Sequence, residues 1–246
     1  MNRVEPYKKL AEIYDLLMDH VDYDQWSVYV LKLINKYHPN PQNIIDLSCG
    51  TGNFLFLLYQ HFKFFLGGDL SKEMIYQSWK KNNSEQVHLF INNIQEIAIK
   101  DGQFDCALLL YDTLNYIIDK KLLKKSLIEI RRILNPSGLF IFDIVTDQHC
   151  REYYADNYES EYWDNVGYSR HSYYDANNGY QYTEFRIVKN GHTYFEKHKQ
   201  RIYSTNFLRD MLSNSGFELM ENDNQFPDDE LIDGQSGRTH FVYRKI

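Results

Sequence analysis

Asn43-Ile44-Ile45-Asp46-Leu47-Ser48-Cys49-Gly50-Thr51-Gly52-Asn53-Phe54 is the stretch on which the reading of this chain turns. Ile44 and Ile45 form a short apolar run, the mark of a buried strand, and Asp46 ends it. Ser48 to Gly52 is small and glycine-bearing, so the backbone can turn sharply there and approach a ligand closely. From Phe54 to Phe65 the residues are apolar or neutral and long enough for a helix. Strand, tight turn and helix make the first half of a βαβ nucleotide-binding unit. A dinucleotide fingerprint would carry a third glycine where Leu55 stands, and Asp46 would repel a pyrophosphate. An acid at that position suits a ligand with a cationic amino acid end.

Upstream, Tyr7 to Met18 reads as a helix with Leu10, Ile13, Tyr14, Leu17 and Met18 on one face. A second helix runs from about Gln25 to Tyr37, capped by Asp22 or Asp24 and stopped by Pro39 and Pro41. Downstream, strands are expected at Phe64–Asp69, Val87–Ile91, Phe104–Leu110 and Leu139–Asp143. They alternate with helices opening at Ser71, a plausible N-cap, and spanning about Lys120 to Leu134, the latter closed by Asn135-Pro136-Ser137-Gly138. Strands alternating with helices predict a doubly wound parallel sheet, α/β and Rossmann-like.

The pattern changes at Thr146. Asn178-Gly179 and Asn190-Gly191 are hairpin signals, and Tyr180 to Val188 alternates between them. An antiparallel meander of about three strands is expected over roughly 162–203. The wound pattern resumes with a helix at Thr205–Ser215 and strands at Phe217–Met220 and His240–Arg244. The polar linker Asn222–Arg238 holds Pro227, Gly234 and Gly237, and its Asp228-Asp229-Glu230 run reads as a solvated loop. The expected organisation is a seven-stranded domain of residues 1–145 and 204–246, its last strand antiparallel, interrupted by an inserted β cap of residues 146–203.

The 246 residues are 43% hydrophobic, enough for a sizeable core. A net charge of −7 argues against nucleic acid as partner. Cys49, Cys106 and Cys150 lie far apart and read as reduced thiols of a cytoplasmic protein. Met1 to Leu10 has no apolar run of a signal peptide, and no stretch approaches the ~20 apolar residues of a membrane span. His192 and His198 read as solvated strand histidines rather than metal ligands, and no metal is expected. The Lys120-Lys121, Lys124-Lys125 and Arg131-Arg132 pairs read as the wet face of a helix.

The acid followed by Cys49-Gly50-Thr51-Gly52 resembles the first motif of the class I S-adenosylmethionine-dependent methyltransferases, with Ser48 in place of the usual first glycine. Asn135-Pro136-Ser137-Gly138 before an apolar strand is a further resemblance, as is an antiparallel closing strand, which distinguishes these sheets from those of dehydrogenases. The resemblance implies S-adenosylmethionine as cofactor. It implies a site at the turn, Asp46, Leu47, Ser48, Cys49, Gly50, Thr51, Gly52 and Asn53. Asp69 would accept from both ribose hydroxyls. Leu70 and Met74 would pack on the adenine, and Asn93, flanked by Asn92 and Ile94, would meet its amino group. Leu110 and Tyr111 would complete the site from the next strand end.

Tyr14, Tyr111, Asn115 and Asp143 are candidates near the reacting centre, and Tyr14 is a candidate catalytic residue or else a core tyrosine. Among the family's members, the small-molecule N-methyltransferases have a similar Tyr-Asp pair in an N-terminal helix and a similar β insertion. The absence of a histidine at a core strand end favours nitrogen over oxygen as acceptor. The expected partner is a small-molecule methyl acceptor, the chain being a monomer or homodimer. Tyr162, Trp163, Tyr168, Tyr173, Tyr174, Tyr180 and Tyr182 are expected to wall the acceptor site. An NAD-dependent oxidoreductase with a degenerate glycine motif and a non-catalytic cofactor-binding module are the other readings.

Overall fold

A computed structural model describes residues 2–223 and 237–246. In chain order the strands and helices begin with β1 (Asn2–Arg3), α1 (Tyr14–Leu17), α2 (Tyr23–Tyr37), β2 (Asn43–Asp46), α3 (Asn53–Leu58), β3 (Phe64–Asp69), α4 (Lys72–Lys81), β4 (Val87–Ile91) and β5 (Phe104–Leu109). They continue with α5 (Lys120–Ile133), β6 (Leu134–Val145), α6 (Asp147–Tyr153), β7 (Asp156–Trp163), β8 (Val166–Asp175), β9 (Tyr180–Lys189), β10 (His192–Arg201), α7 (Thr205–Ser213), β11 (Phe217–Asp223) and β12 (Arg238–Lys245).

Two sheets result. The larger has seven strands in the order β11-β12-β6-β5-β2-β3-β4. Strands β6, β5, β2, β3 and β4 are parallel, and β12 lies antiparallel between β6 and β11. Alternate residues of the central strands enter opposite cores, as a parallel strand buried on both faces requires. Ile45, Ala107 and Phe140 pack beneath α5 and α7, whereas Ile44, Cys106 and Ile141 pack against α2 and α3. Side-chain caps start the helices: Asp22 accepts from Gln25 N, Ser71 from Met74 N, and Asp119 from Lys121 and Leu122 N.

The second sheet, order β1-β10-β9-β8-β7, is the insertion. It differs from the expected three-strand meander in having four antiparallel strands, the first beginning at Asp156, preceded by α6. The N-terminal β1 adds a parallel edge to β10.

Three other expectations need correction. Tyr7–Met18 is not one helix. It is a 3₁₀ turn at Leu10–Glu12 followed by the single turn α1, because Tyr7 has φ +63° and Glu196 captures the N–H groups of Tyr7, Lys9 and Leu10. The helix after the glycine turn ends at Leu58 and passes into a 3₁₀ turn at Tyr59–His61. Arg131 and Arg132 are not simply a wet face. Arg131 donates to the carbonyls of Gly216 and Ile246, and Arg132 to those of Ile97 and Ile99 and to Glu129. Pro227, Gly234 and the Asp228–Glu230 run lie outside the described residues. The three cysteines are buried thiols.

Candidate active site

The turn after β2 is built for close approach. Gly50 has φ +54°, and a Cβ placed on it would meet nothing within 4 Å. Gly52 has φ +84°, and a Cβ there would lie 2.4 Å from Ser78 Oγ and 2.6 Å from Phe56. The first glycine thus faces open space and the second closes the turn onto the helices behind it.

Two carboxylates end the adjacent strands. Asp69 Oδ1 accepts from Ser71 N at 2.8 Å and Oδ2 from Gly50 N at 3.0 Å, leaving each oxygen with a further lone pair. Burial raises its pKa to about 6 against the pull of those N–H groups. Asp46 accepts from Ser48 N at 3.0 Å, and burial together with the charge of Asp69 raises it to about 7. Beside them Asn92 is buried, donates to Leu47 O at 3.3 Å, and has an Oδ1 without a partner.

Asp69 and Asn92 open on a cavity of about 830 Å³ at the carboxyl ends of the parallel strands, where ligands of open α/β sheets bind. Leu47, Ser48, Gly50, Asp69, Leu70, Met74, Asn92, Asn93, Ile94, Leu110, Tyr111 and Tyr14 line it. Cys49, Thr51, Asn53 and Asp46 line only an adjoining recess of about 60 Å³, which Tyr14 and Tyr111 also border. The Thr51 and Asn53 side chains are taken up by Asp15, to which they donate at 2.5 and 3.1 Å, with Lys81 Nζ 2.7 Å from the same carboxylate. Asp15 thereby ties α1 over the glycine turn. Asn93 is exposed and its Oδ1 accepts from Gln95 N, so the buried unpartnered amide oxygen is its neighbour's.

Two expected acceptor contacts do not reach the cavity. Asn115 is fully buried, donating to Arg201 O and accepting from Val145 N, which pins the loop after β5 to β6 and β10. Asp143 is likewise fully buried and accepts from Tyr111 N at 2.6 Å and Asp112 N at 2.7 Å. It holds those two residues at φ +61° and +50° and lies 3.5 Å from Arg238 Nε. Burial raises its pKa to about 7. Arg238 also grips Asp112 at 2.9 Å and lies over the Tyr111 ring at 4.3 Å. Asp112 and Arg238 both line the cavity.

The far wall is the inserted sheet, and its inner face is polar. Arg170, Ser172, Gln181, Thr183, His198 and Gln200 line the cavity, together with Phe185. None of the seven aromatics expected there does. Tyr173 and Tyr182 stack on the other face at 5.1 Å, Tyr180 carries Lys199 at 3.8 Å, Tyr174 bonds Asp147, Tyr162 is exposed, and Tyr168 and Trp163 pack against the N-terminal segment. His198, expected in solvent, is 2% exposed. Asp112, Glu196 and Arg238 are not among the expected site residues. The alternation of β10 puts Glu196, His198 and Gln200 on one face and could have found the first two, whereas no local signal marks Asp112 or Arg238.

The acceptors gathered at the glycine turn, Asp69, the orphan Asn92 oxygen and Asn93, fit a ligand rich in hydrogen-bond donors, as an adenosine with a free ribose and an amino acid tail is. The family model described as "Methyltransferase domain" matches residues 45–142. The chain is 32% identical to YqeM of Bacillus subtilis (strain 168), named as a methyltransferase, over 97% of both proteins. Its fold matches an S-adenosylmethionine-dependent methyltransferase from Clostridium acetobutylicum ATCC 824 with a TM-score of 0.81 at 25% identity, covering 97% of this chain and 98% of that one. An amino pentose methyltransferase from Micromonospora echinaspora, solved with S-adenosylmethionine bound, shares the fold at a TM-score of 0.76 and 14% identity, over 95% and 97% of the two chains. Antiparallel β12 beside β6 is the arrangement expected of such a sheet and not of a dehydrogenase. The chain belongs to the class I S-adenosylmethionine-dependent methyltransferases.

Proposed function

We propose that this enzyme methylates a small molecule at nitrogen inside the cavity between its two sheets. In this reading residues 1–145 and 204–246 hold the cofactor and 146–203 form the cap that holds the acceptor. One observation carries it: a single space of about 830 Å³ has the glycine turn and Asp69 on one side and the buried polar face of β8, β9 and β10 on the other. That volume lies in the range of small-molecule sites.

When bound, S-adenosylmethionine supplies a methyl group already activated by its positive sulfur. The chain's own residues then need to bind, align and exclude water. Asp69 offers two lone pairs to hydroxyl donors, and Gly50 lets the backbone come close. Alignment of donor and acceptor supplies about 7–11 kcal/mol of such a displacement. In this reading Tyr14, which borders both cavity and recess, stands beside the reacting groups. The likeness in fold to an amino pentose methyltransferase accords with this reading.

The experiment incubates the enzyme with methyl-labelled S-adenosylmethionine and a deproteinised bacterial metabolite extract. Label is expected in the low-mass fraction, on nitrogen by mass spectrometry. Label confined to protein or nucleic acid added in parallel would refute the small-molecule reading.

A further inference from the structure

Three residues from distant parts of the chain meet at the cavity wall: Tyr7 in the N-terminal segment, Tyr116 after β5, and His198 on β10. Tyr7 Oη donates to Tyr116 Oη at 2.7 Å. Tyr116 Oη lies 3.0 Å from His198 Nδ1, and His198 Nε2 lies 3.3 Å from Glu196 Oε2. Glu196 is buried and already receives Tyr7 N on Oε2 and Lys9 N and Leu10 N on Oε1, at 2.7, 2.5 and 2.9 Å.

A neutral imidazole fixes the direction of every bond. Glu196 presents lone pairs only, so a neutral His198 carries its hydrogen on Nε2 and leaves Nδ1 bare. Nδ1 must then accept from the Tyr116 hydroxyl, and the Tyr116 oxygen accepts from Tyr7. The chain therefore points one way, from cavity to carboxylate. At its open end stand the lone pairs of the Tyr7 oxygen, which bind a hydrogen-bond donor. Burial holds both phenols in the hydroxyl form, so a proton moves along the chain by exchange rather than through a resting tyrosinate.

We propose that Tyr7, Tyr116 and His198 form a relay that removes the proton the acceptor nitrogen loses on methylation; this rests on the nitrogen reading above. The nitrogen lone pair forms the new C–N bond as the C–S bond breaks, its electron pair remaining on sulfur. The nitrogen's proton passes to Tyr7 Oη, the Tyr7 proton to Tyr116, and the Tyr116 proton to His198 Nδ1. The resulting imidazolium is paired with Glu196. The acceptor is thus an amine with at least one N–H at the moment of attack. A tertiary amine has no proton to give the relay.

The test has two arms. Long-range ¹H–¹⁵N spectra of the histidine-labelled enzyme with S-adenosylhomocysteine should show His198 neutral with hydrogen on Nε2. Tyr116→Phe should move the Nδ1 resonance without changing the tautomer. Hydrogen on Nδ1, or an Nδ1 indifferent to Tyr116→Phe, overturns the relay.

In the metabolite-extract assay, His198→Asn and Tyr116→Phe should each lower turnover by about 10²–10⁴-fold. The calorimetric Kd for S-adenosylmethionine should stay within threefold, so that the loss falls on turnover alone. Turnover within threefold of the wild type overturns the relay and leaves the nitrogen reading standing. A wild-type enzyme that binds S-adenosylmethionine and labels no amine overturns both.

Discussion

Replacing Asp69 by Ala tests the cofactor site most directly. Each oxygen of this carboxylate spends one lone pair on a backbone N–H, at 2.8 and 3.0 Å, and keeps one facing the cavity. Two ribose hydroxyls can be accepted there. A hydrogen bond to a charged group contributes about 1.5–3 kcal/mol, so losing two should weaken binding by about 3–6 kcal/mol, roughly 10²–10⁴-fold in Kd. The wild-type pH dependence has a definite sign. Hydroxyls bind the ionised form, and burial has raised the folded pKa from 3.8 to about 6. Affinity should therefore be constant above about pH 7 and fall by up to tenfold per unit below about pH 6. Asp46, raised to about 7 partly by Asp69, blurs the upper edge of that window because the pair titrates together. Isothermal calorimetry with S-adenosylmethionine between pH 5 and 8, on both proteins, measures this. A loss below threefold in the variant, or a wild-type Kd that tightens on acidification, would refute the reasoning.

The two glycines of the turn should separate stability from binding. Gly52→Ala should lower urea-measured stability by about 2–4 kcal/mol through its overlap with Ser78 and Phe56, whereas Gly50→Ala should lose only about 1–2 kcal/mol to backbone strain and instead weaken cofactor binding at least tenfold. Asp143→Ala strands two buried backbone N–H groups and removes one of the two carboxylates beside Arg238, so urea denaturation should show a loss of about 2–4 kcal/mol, and a loss under 1 kcal/mol would contradict the account. Glu196→Ala should speed amide hydrogen exchange at Tyr7, Lys9 and Leu10 at least tenfold, while exchange in β5 stays unchanged. Tyr182→Ala, on the outer face, should leave cofactor affinity and turnover within twofold, and a larger fall would restore the aromatic-wall reading.

The seven-stranded sheet was legible because its signals are local. Ile44-Ile45 before an acid and a glycine turn leaves little choice of structure, and the long apolar runs of β5 and β6 announce strands buried on both faces. The N-terminal helix misread because its periodicity is real but its amides are claimed by Glu196, nearly 190 positions away. The inserted sheet misread in what lines the cavity. An aromatic wall suits a dry pocket, and the expected aromatics fall on both parities of the strands, Tyr168 and Tyr174 with Ser172, Tyr173 and Tyr182 opposite. This sheet encloses a polar cavity instead, so its buried face is the hydrophilic one. Arg238 was hidden by its place at the end of a polar linker, and nothing local in the sequence ties it to Asp112 or Asp143.

The inserted sheet keeps adhesion and selectivity on opposite surfaces. Its solvent side is knitted by Tyr173 against Tyr182 and by Lys199 over Tyr180. Its cavity side carries the groups that would read an acceptor. Successive side chains on a strand point to opposite faces, so a substitution at Gln181 or Thr183 leaves the outer stacks untouched. Under the proposed reading such a scaffold can be retuned to a new acceptor one residue at a time while its strands stay paired, the inserted sheet being then the adaptable part of the enzyme and the glycine turn its fixed one.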